Sequence, residues 1–237
     1  MNLFSRYFTK WFELLGEFRR YRNTIVVTLL VSFLTLFQYH HRIALWILPA
    51  NYRSYFVPAN YLFYGLSLFL IPLLTIPLLR DADKFGMRLG KFRTWIIDVA
   101  AAWTVLLVLI LIFCRSPDFL RFYPIYKPAA YAWKTFLLYQ LCQLVYMFGW
   151  EFIFRGYMLF STKKEIGIIP AVILQMLPFA LLHVGKPELE VYGSVLAGLF
   201  LGMIAIRANS FIPCFILHFS VACTMDLFAV LYKAWIR

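Results

Sequence analysis

Long, predominantly apolar stretches, most of them near twenty positions, leave this chain few ways to fold. A helix needs about 20 residues to cross the ~30 Å hydrocarbon core of a bilayer. In lipid, only helices and closed barrels satisfy their own backbone. Seven runs are expected to be spans: 23–48, 56–79, 95–114, 134–160, 167–184, 191–206 and 210–235. The first is interrupted by Gln38, His40, His41 and Arg42, and the sixth is short. Charged residues make up 14% of the 237, against roughly 25% in soluble chains, so a water-facing surface of ordinary polarity is excluded.

The expected fold class is all-α, a polytopic membrane helical bundle of about seven transmembrane helices with an N-terminal interfacial helix. Residues 1–22 are read as that amphipathic segment, because Phe4, Phe8, Trp11, Leu15 and Phe18 recur at helical spacing among Arg6, Lys10, Arg19 and Arg20. This pattern suits a helix lying on anionic lipid, and it does not follow the order of a signal peptide. Residues 23–237 are read as a single integral membrane domain with a catalytic-type core at about 134–235.

The net charge of +12 would suggest a nucleic-acid partner in a soluble protein. Here the basic residues flank the apolar runs, as membrane proteins hold them, so no nucleic-acid partner is expected and the bilayer takes that place. Thirteen Lys and Arg residues fall on the side of the N-terminus and nine on the other. That bias places the N-terminus in the cytoplasm. Cys114, Cys142, Cys214 and Cys223 form no metal-type CxxC pair and read as packing residues.

An unpaired charge near the bilayer centre costs at least about 2.5 to 3.5 kcal/mol, so each one needs a partner or a purpose. Asp98, Glu151, Arg155, His183, His218 and Asp226 all fall inside the runs, five of them in the C-terminal part. Glu151 and Arg155 stand four apart, the spacing at which side chains on one helical face meet. Self-neutralisation of that pair is one reading. The other is a carboxylate in an apolar cavity, able to take a proton from water, with two imidazoles suited to proton transfer. Asp226 lies two turns beyond His218 and is expected either to orient an imidazole or to pair with Lys233. A three-ligand zinc site is weighed and not favoured, because Glu151, His183 and His218 come singly from separate helices without an HExxH helix. No cofactor is expected. A proton-coupled transporter would also need buried acids and histidines, but no paired broken helices are visible.

Trp150-Glu151-Phe152-Ile153-Phe154-Arg155-Gly156, then Phe179 to His183, then His218, resembles the CPBP family of intramembrane proteases, also called the CAAX protease and bacteriocin-processing or Abi family. The family's motifs read EExxxRG, FxxxH and HxxxN/D in this order, and Phe85 to Gly90 is similar to the loop before its core. The resemblance covers about residues 80 to 230. It implies a glutamate-type endopeptidase acting on a membrane-associated protein or peptide. Glu151 with His183 would activate water, His218 would donate to the developing oxyanion, and Arg155 would hold the carboxylate in place. It also implies a multi-pass protein of the bacterial cell membrane.

Two positions depart from the pattern: the first glutamate of motif one is Trp150, and the Asn or Asp of motif three is Ala222. Either Glu151 has taken over as base, with Asp226, Thr224 or the loop from Gly185 to Glu190 compensating, or the chain is a non-catalytic relative that binds a membrane partner, as in bacteriocin self-immunity. Glu151 and His218 are each expected ~15 Å below one membrane face, and His183 ~25 Å below it, so the segment after His183 must dip inward or its helix must tilt.

Overall fold

The computed structural model describes residues 3–40, 49–80 and 85–235, and among these all regular structure is helical. The expected sites at His41, Arg42, Lys84 and Arg237, and the side chains of Phe4, Arg6, Phe8 and His40, lie outside the described residues. Helix α1 (Leu3–Arg20) meets α2 (Arg22–His40) at a bend of 71°. A 3-10 turn (Ala50–Tyr55) leads into α3 (Phe56–Leu74), and a loop leads to α4 (Phe92–Phe113). The short α5 (Pro117–Phe122) crosses to α6 (Trp133–Glu151), which continues through a π-helical segment (Phe152–Met158) into α7 (Leu159–Ile166). The chain ends with α8 (Ile168–Leu181), α9 (Glu188–Ala208) and α10 (Ile212–Trp235).

Among the described residues, five helical stretches are long and apolar enough to cross a membrane, six if the bent α1–α2 pair counts as one span. The expectation of seven full spans is corrected at residues 167–184. Gly167, at φ +87°, ends one helix and starts the next, and the chain leaves α8 at Leu182. Its 14 residues reach only about 21 Å, short of the hydrocarbon thickness. The run at 191–206, read as short, is instead the 21-residue α9.

Two sets of contacts tie the helix ends into two layers. On one side Lys91 N donates to Ala208 O at 3.0 Å and Arg88 Nε to Asn209 O at 2.9 Å, joining the loop before α4 to the α9–α10 turn. Gly90 belongs there by necessity: its φ is +63°, and a Cβ would stand 2.1 Å from Ala208 O. On the same side Glu165 caps the start of α2, accepting from Asn23 N at 2.9 Å and from Thr24 N and Oγ1 at 2.8 Å. The carboxylate thus meets free N–H groups at the positive end of the helix. On the other side Lys233 Nζ donates to Tyr123 O at 2.6 Å, and Tyr123 Oη donates to Glu190.

Small residues set the helix spacing. Gly65 of α3 lies against Gly149 of α6 so closely that a Cβ on Gly149 would be 2.1 Å from Gly65 O. The Ser194, Gly198, Gly202 stripe of α9 faces α8, where a Cβ at Gly198 would meet Met176 at 2.7 Å and one at Gly202 would meet Gln175 at 2.7 Å. Intramolecular packing therefore accounts for that stripe, as small residues allow in lipid. The close α3–α6 crossing immediately precedes Trp150 and Glu151 and fixes their depth.

Candidate active site

Glu151 is the last residue of α6, where the winding widens into the π segment that carries Arg155. Such wide turns recur at functional sites, and this one is wholly buried. The Glu151 and Arg155 side chains are both 0% exposed, and Arg155 Nη1 donates to Glu151 Oε1 at 3.0 Å. The guanidinium also lies 3.9 Å from the centre of the Phe179 ring, so its charge is met by a carboxylate and by a π face. Removing one partner of so buried a pair costs about 3 to 5 kcal/mol, because the other charge is left uncompensated.

The same carboxylate oxygen takes a second partner from α10: His218 Nδ1 lies 2.6 Å from Glu151 Oε1. His183, expected to work with the acid, has its own hydrogen-bond partner. His183 is buried, and its Nδ1 lies 2.8 Å from Phe179 O, one turn earlier in sequence. A carbonyl only accepts, so this bond fixes the proton on Nδ1 and leaves Nε2 of the neutral ring as an acceptor. The two imidazoles face each other nearly parallel, at 22°, with centroids 6.2 Å apart.

Trp150, where the family pattern has glutamate, stands edge-on to both imidazoles, at 5.9 Å from His183 and 6.4 Å from His218. Its indole N–H is buried without an acceptor, and Glu151 Oε2 is buried without a donor. Whatever their separation along the helices, the rings of His183 and His218 meet at 6.2 Å, and two residues after His183 the chain turns through Gly185, which has φ +93°. A cavity of about 420 Å³ opens beside that turn, lined by Asp118, Arg121, Phe122, Gly185, Lys186, Pro187 and Glu188.

The other candidates lie elsewhere. Asp226 is fully buried, and its Oδ2 accepts from Gln140 Nε2 of α6 at 3.1 Å. Thr224 Oγ1 donates to Ser220 O within its own helix at 2.7 Å. Glu190 is held by Lys186 at 2.6 Å and by Tyr123. Asp98 pairs with Arg207 at 3.2 Å. Reasoning from sequence missed Gln140 as the partner of Asp226. An amide inside an apolar run was the available signal. It also missed the carbonyl of Phe179, whose role depends on the tertiary fold.

Among the described residues no three His, Cys, Asp or Glu side chains are arranged to hold a metal ion. Fold and site together define a polytopic helical membrane protein with a buried carboxylate–imidazole centre. Residues 131–224 match the family model described as type II CAAX prenyl endopeptidase Rce1-like, which bears out the resemblance to CPBP-type proteases over the segment that carries the site. No curated protein and no solved structure matches the chain.

Proposed function

We propose that the protein is an intramembrane endopeptidase that hydrolyses a peptide bond of a membrane-associated protein or peptide, with Glu151 and His218 acting as the proton-accepting pair. The sharing of Glu151 Oε1 between His218 Nδ1 and Arg155 Nη1 carries this reading. The carboxylate orients the imidazole with Nε2 outward and stabilises the imidazolium that forms when a water gives up its proton. Arg155 donates to the same carboxylate oxygen and meets its charge in an apolar setting. The His218 imidazolium then returns that proton to the departing amine, while His183, with its tautomer set by Phe179 O, presents a second Nε2 as an acceptor.

Electrostatic stabilisation of the tetrahedral intermediate needs a donor aimed at the oxygen. The indole N–H of Trp150 is the buried donor beside both imidazoles, and we assign it that role in place of His218. Asp226 supports the α6–α10 contact through Gln140. Substrate and water enter by the cavity at Gly185 to Glu188. The N-terminus and the dense basic clusters face the cytoplasm of a bacterial cell, α1 lies in the interface, and no resident cofactor takes part.

Purified protein incubated with membrane-tethered candidate peptides is the test. Cleavage is lost in Glu151→Gln and in His218→Ala. Unchanged turnover in both variants would refute the assignment.

A further inference from the structure

Away from the acid–imidazole centre, a cavity of about 240 Å³ sits in the elbow between α1 and α2, lined by Arg19, Arg20, Asn23, Arg80, Lys164 and Glu165. Arg20 also pairs with Glu17 at 4.0 Å, and among the described residues Arg19, Arg20, Arg80 and Lys164, from three separate stretches of chain, line the cavity together with the carboxylate of Glu165. That carboxylate is already engaged: Glu165 Oε1 accepts from Asn23 N, and Oε2 accepts from the N–H and hydroxyl of Thr24. The site is built rather than incidental. Asn23 Nδ2 donates to Arg80 O at 2.7 Å, and Arg80 N donates back to Asn23 Oδ1 at 2.9 Å, so the backbone that carries the Arg80 side chain is held in place.

The level of the cavity follows from the fold. Its lining comes from the end of α1, the start of α2, the segment after α3 and the end of α7, all of which lie where apolar helices stop. The bend of 71° sends α1 across the direction of α2, and α1 exposes Trp11, Phe12, Leu14, Leu15 and Phe18. An amphipathic helix of this kind rests at the boundary of headgroups and acyl chains. Its last turn then brings Arg19 and Arg20 to the depth of lipid phosphate. Arginine forks match phosphate oxygens in pairs, and the volume suits a headgroup rather than an acyl chain.

We propose that this elbow is a binding site for the phosphate of an anionic phospholipid headgroup, which fastens α1 to the bundle. The test uses the full chain in detergent micelles, with thermal unfolding followed as phosphatidylglycerol, phosphatidylcholine or sodium phosphate is added. Phosphatidylglycerol is expected to raise the midpoint and phosphatidylcholine is not. The double change Arg80→Gln with Lys164→Gln is expected to raise the phosphatidylglycerol needed for half the effect by ~30-fold, at the usual worth of two basic residues near a charged lipid surface. Arg19→Gln with Arg20→Gln does the same from outside the bundle and serves if the first pair does not fold. Arg53→Gln with Arg115→Gln, on the opposite face, removes the same charge and leaves the response intact. An equal loss in that control pair, or no loss in either elbow pair, overturns the site. Stabilisation by sodium phosphate at matching concentration overturns the lipid assignment and leaves a soluble-anion site.

Discussion

His218 and Glu151 lie 67 residues apart in sequence and 2.6 Å apart in space, and the oxygen that joins them is the one that Arg155 also holds. The acid, the guanidinium and the imidazole therefore form one charge system. Changing any one of them alters the hydrogen bonding and packing of the other two.

Glu151→Gln keeps the shape of the side chain and removes its charge. We expect cleavage to fall by at least about 10²-fold, the scale of a lost proton acceptor. Initial rates on a tethered peptide measure it, with His183→Ala and His218→Ala run in parallel.

Arg155→Met leaves Glu151 buried without its cation, and unfolding in detergent should be easier by about 3 to 5 kcal/mol. The double variant Arg155→Met with Glu151→Leu removes both charges and is expected to recover most of that loss while remaining inactive. A double variant no more stable than Arg155→Met would show that the charge imbalance is not the cause.

Trp150→Phe retains a ring against His183 and His218 but lacks the indole N–H. Stability should change by less than about 1.5 kcal/mol, as for a conservative core exchange. Turnover should drop by about 10²-fold, as when an oxyanion donor is removed. Equal turnover in Trp150→Phe and the parent protein would remove Trp150 from the chemistry.

At the α3–α6 crossing, Gly149→Ala forces a methyl group to 2.1 Å from Gly65 O and must separate the helices. A loss of about 1 to 3 kcal/mol is expected from overpacking. Gly193→Ala, where nothing lies within 4 Å, is the matched control and should be neutral or stabilising by up to about 1 kcal/mol. Thermal unfolding of the two variants side by side decides it.

Much of the architecture was legible because lipid allows so few solutions. The apolar runs marked the helices closely, as with Trp95 to Cys114 against the observed Phe92–Phe113. The spacing of Glu151 and Arg155 announced their contact, since both lie on one continuous helical stretch. The length of α8 was not legible. Its composition continues apolar past Leu181, yet the helix stops there and the chain turns through Gly185 at φ +93°. The partner of Glu151 was equally hidden, because both histidines sit within reach and a hydrogen bond to Phe179 O claims one of them.

From the order of residues alone came the all-helical membrane class, the two charged layers and the short set of groups that hydrocarbon would reject, since each depends on local composition and on distances along a helix. The tertiary structure alone decided which imbalance each group corrects: His218 rather than His183 on Glu151, Gln140 rather than Lys233 on Asp226, Glu165 on the first turn of α2. Those pairings join helices far apart in the chain. They are set by crossing points such as Gly65 against Gly149, where the closeness of two backbones fixes the height and rotation of everything beyond them.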